Sequence, residues 1–142
     1  MSELSWAETK RRVHIRAAYR CEYCHTGQKV TGQSMHVEHI DPNAGDTMDN
    51  LCLSCASCNF SKAQAIAAPD PATGDMVALF NPRIQVWNEH FAWVDQGLRL
   101  IGKTAIGRAT IARLKINNSR IVGARKVWVR AGEHPPVTFS EE

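Results

Sequence analysis

The sequence predicts an α+β fold: a ββα unit stapled by a four-cysteine metal knuckle, with a helix before it and a hairpin plus two helices after it. Three observations carry this expectation. Two C-x2-C pairs, Cys21/Cys24 and Cys55/Cys58, bracket a strand–loop–strand pattern that runs on into a helix. That unit is too small to fold on its own apolar core, so something must staple it. Beyond Pro71 the composition shifts to short apolar and aromatic segments followed by two helical patterns, which reads as a packed extension. The division is therefore residues 1–68 for the stapled unit and 69–142 for the extension.

The elements follow in order. Residues 4–20 read as a helix, because Ser5 and Glu8 have capping-box spacing and Leu4, Val13, Ile15, Ala17 and Ala18 supply apolar positions. After the first cysteine pair, Ser34 to Ile40 is a strand candidate. The run 41–46 (DPNAGD) must be a loop, since Pro, Asn and Gly interrupt both regular periodicities. Leu51 to Leu53 is a second strand, and Ser57 or Asn59 opens a helix running to about Ala67, where Pro69 and Pro71 end it. Met76 to Phe80 reads as a strand, and Trp87–Trp93 with Leu98–Ile101 as a hairpin turning at Asp95, Gln96 and Gly97. Two helices close the chain, Thr104–Ile116 and Ser119–Ala131, and the tail from His134 to Glu142 reads as loose.

A chain of 142 residues, 44% hydrophobic, can bury a core. It has neither a run of apolar residues long enough to span a membrane nor a secretory signal pattern, so a cytoplasmic location and no membrane partner are expected. The cysteines number five, an odd count in a short stretch, and in a reducing compartment metal ligation explains them better than disulfides. Four thiolates closing a tetrahedron fit structural Zn²⁺, with no open position for a reacting water; redox chemistry or an iron–sulfur cluster is the alternative the spacing leaves open. Cys52, the leftover, reads as a small buried core residue.

The net charge of +3 conceals an asymmetry: between Asp95 and Glu133 nine cations stand with no acid among them. Such a stretch suits a polyanion partner, although a solubilising face would have the same composition. Arg108, Arg113, Arg120, Arg125 and Lys126 are the candidate phosphate contacts there, with the apolar faces assigned to Ile106, Ala109, Ile111 and Leu114, then Ile121, Ala124 and Val127. Trp87, Phe91 and Trp93 read as core aromatics in preference to a base-stacking surface.

The run His36-Val-Glu38-His39-Ile-Asp-Pro42, then Asp49-Asn50-Leu51, then Cys55-Ala-Ser-Cys58-Asn59-Phe-Ser-Lys62 resembles the HNH endonuclease family over roughly residues 21–62. The resemblance implies a ββα-metal motif and metal-dependent hydrolysis of DNA phosphodiester bonds, leaving 5′-phosphate and 3′-hydroxyl ends. It makes His39 the general base and Asn50 a support that hydrogen-bonds the loop after His39. Glu38 and Asn59 become the ligands of one divalent cation. Many family members carry His where this chain has Asn59; a carboxylate and an amide oxygen favour Mg²⁺ or Mn²⁺. In an ideal strand Glu38 and His39 point to opposite faces, so the strand is expected to end or bulge there. His36 and Lys62 are further candidates for phosphate contact, set against an ordinary polar role for His36 and a solvated helix lysine. His25 could replace a thiolate, but four cysteines suffice. The segments around Trp87–Trp93, Gly107–Thr110 and Arg125–Trp128 resemble the extension of a subset of these proteins, particularly cyanobacterial ones. Double-stranded DNA is the implied partner, with a homodimer as one way of cutting both strands. A zinc-stapled module that binds nucleic acid without cutting it is the competing reading.

Overall fold

The computed structural model describes residues 4–136. Helix α1, Trp6–Arg16, starts where the Ser5 hydroxyl accepts the Glu8 amide at 3.1 Å. Only half of the capping box forms, because the Glu8 carboxylate turns to Arg11 and Arg12. The helix stops at Arg16, short of the expected Arg20: Ala18 and Tyr19 both adopt positive φ and swing the chain into the first cysteine loop. Its inward residues are Thr9 and Val13, while Leu4 and Ile15 are exposed. A single helical turn, α2 (Gln28–Thr31), follows; the sequence reading placed no element there.

Strand β1 (His36–His39) pairs antiparallel with β2 (Leu51–Ser54) in unbroken register, from His36 opposite Ser54 to His39 opposite Leu51. The strand ends at His39 and carries no bulge. Helix α3 spans Ala56–Lys62. Its N-cap is Cys55, whose sulfur accepts the Cys58 amide, so a metal-knuckle cysteine takes the capping place expected of Ser57 or Asn59. The helix also ends earlier than expected, at Ala63 with φ 50°, and Ala67–Pro69 forms a strand, β3, paired with β4 (Met76–Ala78). Pro69 terminates no helix; it sits at the end of a two-stranded ribbon, where its missing N–H costs nothing.

The extension begins with a helical turn, α4 (Trp87–His90), where a strand was expected. Strands β5 (Phe91–Val94) and β6 (Arg99–Gly102) then form the hairpin with its turn at Asp95–Gly97. Helix α5 (Ala105–Leu114) is capped by Thr104 on the Gly107 amide, and α6 (Ser119–Arg130) by Asn118 on the Ile121 amide. β6 and α5 pack backbone to backbone: a Cβ on Gly102 would fall on the Arg108 amide, and one on Gly107 would fall on the His90 carbonyl oxygen at the end of α4.

One core cluster runs from Val13, Tyr23 and Leu51 through Phe80 and Phe91 to Leu114 and Ile116, so the extension and the stapled unit share their interior. The bridges between them are specific. Trp87 stacks on His25 at 3.9 Å and donates its indole N–H to the Tyr23 carbonyl; Arg83 pairs with Glu22. Trp87, Phe91 and Trp93 therefore serve packing.

Two expectations for the extension are corrected. The inward residues of α6 are Val122 and Arg125, and Val127 is exposed, one position out of phase with the expected face. Arg125 is fully buried; it donates to the carbonyls of Leu98 and Ile116 and lies over the Trp93 ring, so it is no phosphate contact. Its guanidinium satisfies carbonyls at two chain reversals, and Arg125→Met is expected to destabilise the protein by about 2–4 kcal/mol, since those acceptors would stay buried without donors; an unchanged denaturation midpoint would rule this out. The tail is the second correction. His134 is buried, donates to the Gly97 carbonyl and packs edge-on against Trp93, and only the part of the tail from 137 on lies outside the described residues.

Among the described residues no helix is long and apolar enough to cross a membrane.

Candidate metal centre and nucleic-acid site

Two tight loops make the knuckle. The Cys24 amide points at Cys21 Sγ and the Cys58 amide at Cys55 Sγ, each at 3.5 Å. The four sulfurs lie within 4.8 Å of one another, and Cys24 and Cys55 Sγ are 3.7 Å apart. A tetrahedron with metal–sulfur bonds of about 2.3 Å has edges of about 3.8 Å, so this donor set fits an ion such as Zn²⁺. Burial pushes the Cys21 thiol well above its ordinary range, and a bound cation is what would hold such thiols as thiolates. Cys52 stands apart: its thiol donates to Tyr23 Oη, and burial pushes it up to about 12. His25 is occupied by its stack on Trp87, and burial lowers it to about 4.

The β1–β2 hairpin carries Glu38 and, at the last position of its first strand, His39. Glu38 is buried, and its Oε1 has no hydrogen-bond partner among the described residues. A carboxylate oxygen left so in the interior is costly unless a proton or a cation compensates it. Burial is the main cause that pushes Glu38 up to about 7, and the nearby Lys62 ammonium offsets this only in part. Asn59 lies half-buried on α3, and its side-chain amide makes no hydrogen bond among the described residues. The partnerless Glu38 carboxylate oxygen and the Asn59 amide oxygen suit a hard divalent cation.

His39 is partly exposed, and its Nε2 lies 2.5 Å from Asp46 Oδ1. A carboxylate can only accept, so in the neutral imidazole this contact selects the tautomer with the proton on Nε2 and the lone pair on Nδ1. The loop between them is pinned by Asn50, whose Oδ1 accepts the Asp41 amide at 2.9 Å while its Nδ2 donates to the Asp41 and Gly45 carbonyls at 2.8 Å. Asp46 escaped the sequence reading because it sat in a segment legible only as a loop.

Lys62 is neither a phosphate contact nor a solvated lysine: it is 1% exposed, and its ammonium donates to the carbonyls of Ile40 and His39 at 3.1 and 3.4 Å. It ties α3 to the end of β1. His36 is exposed. Arg108 forms a two-pronged pair with fully buried Asp70, which holds that carboxyl well below the usual carboxylate range; its guanidinium is committed to fixing the 70–75 turn on α5. Arg113 is exposed and donates to the Lys62 carbonyl. Arg120 and Lys126 are exposed, with no ion pair among the described residues.

A pH test follows from Glu38. Its value in the folded chain lies above the ordinary 4.5, so the folded state keeps the proton to a higher pH than the unfolded one. The stability this confers is full below about 4.5 and is lost as pH rises through about 7. Without added Mg²⁺ or Mn²⁺, the zinc-loaded wild type is expected to lose about 1.4 kcal/mol between about pH 6 and pH 8 that Glu38→Gln does not lose, measured by urea unfolding. Parallel profiles would contradict the assignment.

Residues 21–64 match the family described as HNH endonuclease. That stretch holds the cysteine cluster, the β1–β2 hairpin and α3, so the chain carries an HNH-type domain with a metal-binding centre. No curated protein and no solved structure matches the chain.

Proposed function

We propose that this protein is an endonuclease that hydrolyses DNA phosphodiester bonds, with His39 as general base and one divalent cation, Mg²⁺ or Mn²⁺, held by Glu38 and Asn59. The observation that carries the reading is the buried, partnerless Glu38 carboxylate oxygen one residue from a histidine paired with a carboxylate. A module that only binds DNA has no use for either feature.

In this mechanism Asp46 fixes the His39 ring with Nε2 protonated, and Nδ1 takes the proton from a water that attacks the phosphorus. The imidazolium that forms is stabilised by the Asp46 carboxylate, as a carboxylate behind a catalytic imidazole does elsewhere. Asn50 and Lys62 hold the backbone at His39 and just after it, which limits the imidazole's freedom. When bound, the cation neutralises charge on the phosphate and on the leaving 3′ oxygen. Exposed Arg113, Arg120 and Lys126 supply sequence-independent attraction to the DNA backbone.

The test is cleavage of supercoiled plasmid with EDTA, Mg²⁺ or Mn²⁺. Metal-dependent conversion to nicked or linear forms is expected, and the ratio of the two forms shows whether one strand or both are cut. DNA binding with no cleavage under any of these conditions would replace the nuclease by a zinc-stapled binding module.

A further inference from the structure

Phe60 is the most exposed large apolar side chain among the described residues, at 86%. It follows Asn59 directly on α3, whose inward face is formed by Cys58 and Lys62. Consecutive helical residues are turned by about 100°, so Phe60 stands on the outer side of α3, roughly opposite Cys58, with Asn59 on the flank between them. The ring forms one wall of an open cavity of about 490 Å³ between α3 and the first turn of α6. Ser57 and Ser61 line the same side, and Lys115, Arg120 and Ile121 line the other; no acidic residue among the described ones contributes. Neither cation has an ion-pair partner among the described residues.

The chemistry of this wall is selective. An aromatic face offers stacking to any base, and two free cations offer pairing to the phosphates on either side of it. A base inside a duplex already has both faces covered, so only an unpaired one can lie on Phe60. The apolar part is a single ring and an isoleucine edge bounded by serines and cations, far short of the contiguous apolar patch that a protein partner or a second copy would bury. The absence of acids makes the cavity complementary to a polyanion.

We propose that this cavity holds an unpaired nucleotide of the strand being cut, its base stacked on Phe60 and its flanking phosphates on Arg120 and Lys115. The preferred DNA is then single-stranded, frayed or flapped next to the scissile phosphate. The inference rests on the endonuclease reading for what happens to that strand, but the binding site is testable without it.

The experiment uses the full chain with His39→Ala, so that bound DNA stays intact, and compares a labelled short single strand with the corresponding duplex by fluorescence anisotropy near physiological salt. Adding Phe60→Ala is expected to lower the ratio of single-strand to duplex affinity roughly tenfold, and Phe60→Trp to restore it. Arg120→Ala is expected to weaken both and to reduce the slope of log affinity against log salt by about one. Equal loss on both DNAs, or no loss, with Phe60→Ala overturns the proposal. So does a wild-type dimer that Phe60→Ala turns into a monomer, since a second copy would then occupy the cavity. A wild type that binds single strands through Phe60 yet cuts neither plasmid nor single-stranded or flapped DNA with Mg²⁺ or Mn²⁺ would leave the site standing and remove the nuclease reading.

Discussion

His39→Ala is expected to lower plasmid cleavage on the order of 10²–10⁴-fold, the range lost with a positioned general base, while zinc content and thermal stability stay at wild-type levels. The stability half of this expectation follows from exposure. The His39 side chain is 37% exposed and among the described residues bonds only to Asp46, itself on the surface, so its removal opens no cavity and strands no buried partner. The hairpin below it is held by the β1–β2 ladder, and the loop by the three Asn50 bonds and the Lys62 ammonium. Asp46→Ala should cost less, about tenfold to a hundredfold, because the base survives but its ring loses the acceptor that fixes the tautomer. Full wild-type rates from His39→Ala would remove His39 from the mechanism, and a large loss accompanied by loss of zinc would make its role structural.

Much of this arrangement could be read from the sequence, and the reasons for success and failure are physical. The knuckle was legible because metal ligation reduces to donor type and spacing: two C-x2-C pairs have few other uses in so short a stretch. The β5–β6 hairpin and the starts of α5 and α6 were legible because turn and capping chemistry is local, as at Thr104 and Asn118. What failed depended on distant partners. Lys62 and Arg125 look like solvated charges until the carbonyls of Ile40, Leu98 and Ile116 converge on them, and nothing local announces those acceptors. The expected phase of α6 erred for the same reason: a charge at 125 was assumed to face water, which turned the whole stripe by one residue. The helix expected to run to Ala67 was stopped at Ala63, and the freed segment joined a ribbon with β4, where tertiary pairing overrode good helix formers. Asp46 is the costliest omission, since a seven-residue separation from His39 within a loop carries no periodic signal.

The other large effect belongs to the knuckle. Cys58→Ala is expected to abolish zinc binding and unfold the stapled unit, because a structural zinc site can contribute on the order of 10 kcal/mol to folding, comparable to the whole net stability of a small domain. The loss spreads for a geometric reason. The cysteine cluster joins the 21–24 loop to the start of α3, and Tyr23, Leu51 and Leu53 are packed with no exposure around it. The extension leans on the same loop, with Trp87 stacked on His25 and bonded to the Tyr23 carbonyl. Opening the knuckle therefore wets Trp87, so zinc loss should appear as a red shift of tryptophan emission, followed together with metal content and melting temperature. Cys52→Ala is the control. Its thiol is equally buried but among the described residues bonds only Tyr23 Oη, and its removal should cost about 1 kcal/mol with zinc retained. If Cys58→Ala kept its zinc and melted with the wild type, the cluster would not be the staple, and the small ββα unit would have to be held by its packing against α5 alone.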